Sequence, residues 1–132
     1  MVGLDTNVLV RYMVQDDKIQ AELSRRLIED TCRPDNPGAI TLVVLCELVW
    51  VLHTAYGFTR KQIAGALRQI LVTDCFDVDD HTLAWVAFRD YEVSHADYAD
   101  CVIARLNQAR GSQTTYTFDK RAADLPGFTL LT

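Results

Sequence analysis

The fourteen residues from Ala39 to Leu52 constrain this chain most, because all but Thr41 and Glu47 are apolar. A run of that length, carrying a carboxylate, is too short to span a bilayer. It is also too long for one strand of a small domain, so it reads as a very short strand followed by a buried helix from about Leu42 to Tyr56. Thr41 is the natural N-cap of that helix, and Gly57 supplies the stop. Glu47 then falls inside the most apolar segment of the protein. Burying an isolated carboxylate costs several kcal/mol, so Glu47 is expected either to be paired or snorkelling, or to be held there for a cation.

Around this segment the pattern alternates between short strand-like and longer helix-like stretches, which predicts an α/β domain with a mostly parallel sheet. Val2 to Leu4 reads as a first strand ending at Asp5. Asp5-Thr6-Asn7 starts a helix striped by Val8, Leu9, Tyr12 and Met13. Asp16-Asp17 caps a second helix, roughly Lys18 to Asp30, with Ile19, Leu23, Leu27 and Ile28 as its apolar stripe. Residues 33–38, Arg-Pro-Asp-Asn-Pro-Gly, are a loop on turn chemistry alone. Thr59 to Leu71 is amphipathic, Cys75 to Val78 looks like an edge strand, and Asp80 to Tyr91 is helical. Ser94-His95-Ala96-Asp97 has the form of a capping box ahead of a helix that ends near Arg110-Gly111. Thr114 to Phe118 is a strand with Asp119 at its end, and Phe128 to Leu131 is a last strand. With no linker and no internal repeat, residues 1–132 are expected to form a single domain.

The acids fall in a suggestive order along these elements. Asp5 and Asp119 stand at the carboxyl ends of predicted strands, the edge at which open α/β sheets bind ligands. Asp97 and Asp100 are three apart at the start of one helix and share a face. Each has an ordinary explanation, since Asp5 and Asp97 suit helix caps and Asp119 suits a turn. Asp100 has the weakest structural excuse, because the apolar residues Cys101-Val102-Ile103-Ala104 follow it. Carboxylates without a His or Cys partner fit Mg2+ or Mn2+ rather than zinc. The three histidines, His53, His81 and His95, lack ligand spacing. The four cysteines have no C-x-x-C spacing, so neither a disulfide framework nor a zinc cluster is expected.

Composition narrows the function classes. At 49% hydrophobic and 23% charged the chain is an ordinary folded protein. Its start, Met-Val-Gly-Leu-Asp, carries no basic stretch or long apolar region, so a cytoplasmic protein with no membrane partner is expected. A net charge of −5 argues against a broad basic nucleic-acid face. It argues less against a metal site, where a bound cation reverses the local sign. Arg11, Arg105, Arg110, Lys120 and Arg121 lie near the acids in sequence and are candidates for backbone phosphate contacts.

Four stretches carry a family resemblance, in order and nearly end to end. They are Met1-Val2-Gly3-Leu4-Asp5-Thr6-Asn7-Val8-Leu9-Val10, Val44-Leu45-Cys46-Glu47-Leu48-Val49-Trp50-Val51-Leu52, Ala96-Asp97-Tyr98-Ala99-Asp100-Cys101-Val102-Ile103-Ala104 and Thr117-Phe118-Asp119-Lys120. Together they resemble the four acidic motifs of PIN-domain proteins, and within that family the VapC toxins of prokaryotic type II toxin–antitoxin pairs. The resemblance implies a three-layer α/β/α fold around a short, mostly parallel sheet. It implies an endoribonuclease dependent on Mg2+ or Mn2+, an RNA substrate, a cognate antitoxin that blocks the acidic pocket, and a homodimer. It makes Asp5, Glu47, Asp100 and Asp119 the catalytic acids, with Asp5, Asp97, Asp100 and Asp119 on the metal and Asn7 and Thr117 as polar supports. The other reading is a non-catalytic RNA-binding or interaction module of the same fold. A haloacid-dehalogenase-type phosphatase would need a second Asp two residues after Asp5, where this chain has Asn7. A phosphate-accepting receiver domain would want paired acids after its first strand, and Asp5-Thr6-Asn7 lacks the pair.

Overall fold

The computed structural model describes all residues from Met1 to Thr132. Its elements run β1 (Val2–Gly3), α1 (Thr6–Val14), α2 (Lys18–Thr31), β2 (Gly38–Ile40), α3 (Leu42–Thr54), α4 (Arg60–Val72) and β3 (Phe76–Val78). They continue with α5 (His81–Val93), α6 (Tyr98–Ala109), β4 (Thr115–Thr117), a 3-10 turn over Ala122–Asp124, and β5 (Phe128–Leu130). Every strand pair is parallel, as the alternating pattern predicts. The chain divides into two units, Met1–His81 and Thr82–Thr132.

In the first unit the strand order is β1-β2-β3, with Val2 opposite Gly38 and Gly38 opposite Phe76. Gly38 is buried at the centre of this small sheet. A Cβ there would stand 2.6 Å from Leu4 Cδ1 and 3.0 Å from Cys32 Sγ, so the close approach requires glycine. α1 packs on α2 and α3, and α3 on α4. Leu9, Ile40, Leu45, Leu48, Leu52, Ile63, Leu67 and Ile70 are almost fully buried. The caps explain the boundaries. Asp17, Thr41 and Thr59 each accept the N–H three residues on, from Gln20, Val44 and Gln62. Thr59 and Gln62 complete a reciprocal capping box. Gly57 ends the α3 region at φ +66°, donating its N–H to the His53 carbonyl.

The predicted stripe of α2 is corrected. Its buried residues are Ala21, Ser24 and Ile28, while Ile19 is 76% and Leu23 61% exposed. Ile28 of the predicted stripe is buried, beside the small residues Ala21 and Ser24, while Ile19 and Leu23 are turned outward. The solvent side of α2 also carries a charge network. Glu22 lies between Arg25 at 2.6 Å and Arg26 at 3.0 Å, and Arg25 also reaches Glu29 at 2.8 Å.

In the second unit, α5 and α6 bury Ala84, Ala87, Phe88, Tyr91, Tyr98, Cys101 and Val102. Tyr91 and Tyr98 meet edge to face at 6.0 Å, and the Tyr98 hydroxyl donates to the Ala84 carbonyl. Arg105 of α6 grips Asp90 of α5 through Nε at 2.7 Å and Nη2 at 2.9 Å. β4 pairs with β5 in register from Thr115 opposite Phe128 to Thr117 opposite Leu130. Asn107 of α6 donates to the Thr115 hydroxyl and so ties the helix to the strand pair. No helix is long and apolar enough to cross a membrane.

Two stability predictions follow from these contacts. Gly38→Ala overpacks the Leu4–Cys32 contact and should lower unfolding free energy by about 1–3 kcal/mol in urea titrations. The Glu22 carboxyl is held down from 4.5 to about 2, chiefly by its hydrogen bond to Arg25 and next by Arg26 against the cost of desolvation. A depressed acid stabilises the fold above its unfolded pKa and loses that contribution as pH falls toward the folded one. Glu22→Gln should therefore melt earlier than wild type at pH 7, and the gap should close between about pH 4.5 and about 2. A gap that stays constant down to pH 2 would contradict this.

Candidate metal centre

Asp5 follows β1 and is the N-cap of α1, its carboxylate accepting the Thr6 N–H at 2.8 Å. Asp97 occupies the same position at α6, accepting the Tyr98 N–H at 2.9 Å. The expected capping box therefore starts three residues too early. Ser94 instead accepts the Ala96 N–H in the turn before the helix, and Asp97 is itself the cap. Asp5 and Asp97 differ from the other side-chain caps of the chain. Asp17, Thr41 and Thr59 reach the N–H three residues on, as a stabilising cap does. Asp5 and Asp97 hold only the next N–H, and both are exposed. Each spends one carboxylate oxygen on the backbone.

Glu47 requires a correction. It was expected inside the buried helix, yet it is exposed. α3 buries Leu42, Leu45, Leu48, Val49 and Leu52 and presents Val43, Glu47 and Trp50 to solvent. The desolvation argument for Glu47 therefore falls. The residue still has a specific partner, because the Thr6 hydroxyl donates to its Oε1. Thr6 is itself 3% exposed, one of two buried polar residues. It links Glu47 of α3 to the residue capped by Asp5, and Asn7, the expected support, stands exposed beside it. The signal for Thr6 was a β-branched hydroxyl residue at the first helical position, between the capping acid and an apolar stripe.

In the second unit the charges of two acids bear on a third. Asp100 lies in the first turn of α6, partly buried. Burial pushes its carboxyl pKa up, and the charges of Asp97 and then Asp119 push it further. No Lys or Arg forms an ion pair with any of the three, so the repulsion is not neutralised within the protein. Asp119 is held in a tight turn beyond β4. Its N–H donates to the Thr117 hydroxyl at 3.0 Å, and its carboxylate accepts the Arg121 N–H at 2.8 Å. Thr117 thus supports the acid, as expected.

Of the cations offered as phosphate contacts, two are already engaged. Arg11 donates to Asp16 at 2.9 Å, to Tyr56 Oη at 3.0 Å and to Gln20 at 2.7 Å. The Asp16 hydrogen bond raises its pKa. Arg105 is held by Asp90. Arg110, Lys120 and Arg121 are exposed and form no ion pair.

A family model for the PIN domain matches residues 2–127. The chain belongs to the PIN domain family. PIN domains are generally nucleases, and they typically use divalent metal ions. No curated protein and no solved structure matches the chain.

The donor set of this PIN domain suits such an ion. All its candidate ligands are carboxylate oxygens, the chemistry preferred by Mg2+ and Mn2+. No group of three or more His, Cys, Asp or Glu side chains is drawn together tightly enough to enclose an ion. Mg2+ does not need one, since it keeps several waters and takes one or two carboxylates. Crowding at Asp100 carries a thermodynamic consequence. In EDTA at pH 7, Asp100→Asn should remove the unfavourable charge and raise the melting temperature by a few degrees. A drop would mean that the carboxylate is structural.

Proposed function

We propose that the chain is a metal-dependent endoribonuclease that acts as one PIN domain over residues 1–132, and that it is the toxin of a toxin–antitoxin pair. The observation that carries the metal assignment is the partly buried Asp100, raised by burial and by the like charges of Asp97 and Asp119 with no cation of the protein to relieve it. A divalent cation there would offset that repulsion. Asp5, Asp97, Asp100 and Asp119 are assigned as metal ligands. Asp5, Glu47, Asp100 and Asp119 are assigned as the catalytic acids.

A bound Mg2+ or Mn2+ would supply Lewis-acid chemistry, lowering the pKa of a water and steadying charge on the phosphodiester. The chain's own residues do the rest. Asp5 and Asp97 are oriented by the backbone N–H groups of Thr6 and Tyr98. Asp119 is oriented by the Arg121 N–H and the Thr117 hydroxyl. Glu47, which accepts the Thr6 hydroxyl, is assigned to take a proton from an attacking water. Arg110, Lys120 and Arg121 are free to bind backbone phosphates. The VapC-like motif order supports an antitoxin partner and a homodimer acting in the cytoplasm.

Asparagine retains capping ability, so Asp5→Asn keeps the α1 cap while removing the charge. Incubated with RNA, the wild type should cut in Mg2+ or Mn2+ and stop in EDTA. Asp5→Asn and Asp100→Asn should each lose about a hundredfold or more of that cleavage with unchanged circular dichroism, and should relieve growth arrest on induced expression. Either variant cutting at the wild-type rate would remove it from the site. RNA binding by the wild type without cleavage in any divalent cation would favour the non-catalytic reading.

A further inference from the structure

Beyond the acids, β4 and the bend after it carry two aromatic rings that the core does not use. Thr115 and Thr117 are half-buried, while Tyr116 is 64% and Phe118 79% exposed. The rings are two residues apart in sequence, Tyr116 within β4 and Phe118 in the bend that follows it. The β4–β5 pairing reaches Thr117, whose carbonyl accepts the Leu131 N–H at 2.7 Å. The bend is held beneath it by the bond from the Asp119 N–H to the Thr117 hydroxyl. Both rings are open to solvent beside that turn.

Basic residues flank the rings in sequence. From Arg105 to Arg121 the sequence has four basic residues and one acid, Asp119, in a chain of net charge −5. Arg110, Lys120 and Arg121 are exposed and unpaired. Aromatic faces beside unpaired cations fit a single-stranded nucleic acid, whose bases stack on rings and whose phosphates meet the cations. Exposed aromatics on a sheet are also how some proteins seat bases. An apolar protein partner would not account for the three cations.

We propose that Tyr116 and Phe118 form a base-stacking platform for single-stranded RNA, seating two nucleotides next to Asp119. The RNA in this inference rests on the ribonuclease reading, whereas the stacking and charge arguments do not need cleavage. Phe118 and Tyr116 are positioning residues: they hold the strand and take no part in proton transfer.

The test uses the full chain in EDTA, where no cleavage occurs, with a short fluorescein-labelled oligouridine followed by anisotropy. Phe118→Ala should weaken binding about five- to a hundredfold, Tyr116→Ala should do likewise, and Phe118→Tyr should restore it. In Phe118→Trp, oligouridine should quench the indole fluorescence as a base stacks on it. Unchanged affinity in both alanine variants, or no quenching in Phe118→Trp, overturns the platform. So does a shift in oligomeric state without loss of RNA affinity, which would make this face a contact between copies of the chain. Metal-dependent cleavage by the wild type at an unchanged KM in Phe118→Ala overturns the platform and leaves the nuclease reading standing. Aromatic-dependent binding without cleavage supports the platform and sinks the nuclease reading.

Discussion

Within the second unit, the feature on which the site reading depends is the meeting of like charges at the start of α6. Asp97 must stand there to begin the helix, and Asp100 follows one turn later with its carboxyl partly withdrawn from water. Asp119 adds a third negative charge from the turn after β4. Ordinary folding would have placed a lysine or arginine among them, because an uncompensated carboxylate in a partly buried place is destabilising. The same helix does this further along, where Arg105 takes Asp90 in a two-pronged grip. The contrast between a paired acid and three unpaired ones on neighbouring turns separates a structural carboxylate from a candidate ligand.

The caps show the same division of labour. A side chain that accepts the third N–H closes the first turn of its helix. Asp17, Thr41 and Thr59 do so, and nothing else is asked of them. Asp5 and Asp97 accept only the adjacent N–H. Both carboxylates are exposed. An Asp at a helix start suits either use, and the accepted N–H differs between the two groups of caps.

Much of this was legible in the sequence. Thr41, Thr59, Asp17 and Gly57 mark helix ends by local chemistry, and local chemistry survives folding unchanged. Glu47 was misread because its helix is apolar on almost every side. With Val43 and Trp50 as hydrophobic as Leu45 and Leu48, the pattern held no information about which face was inward, and only packing decided it. Ile19 and Leu23 misled for the complementary reason: α2 buries Ala21 and Ser24, which carry little hydrophobic signal but allow close approach. Asp97 was placed at the third helical position because Ser94 also looked like a cap. Ser94 does cap a local turn, one that ends before the helix begins.

Net charge is the remaining tension, since an acidic protein is a poor general binder of nucleic acid. The distribution eases it. Salt bridges engage Arg11, Arg25, Arg26 and Arg105, so those charges are held in local pairs. Arg110, Lys120 and Arg121 are left outside any such pair, close in sequence to the exposed rings of Tyr116 and Phe118 and to Asp119. On the proposed reading, such a surface would hold a strand through few phosphate contacts and through stacking, so its affinity would depend less on salt than that of a basic groove with many phosphate contacts. A bound ion would add local positive charge beside the acids, which the net charge of the chain does not register.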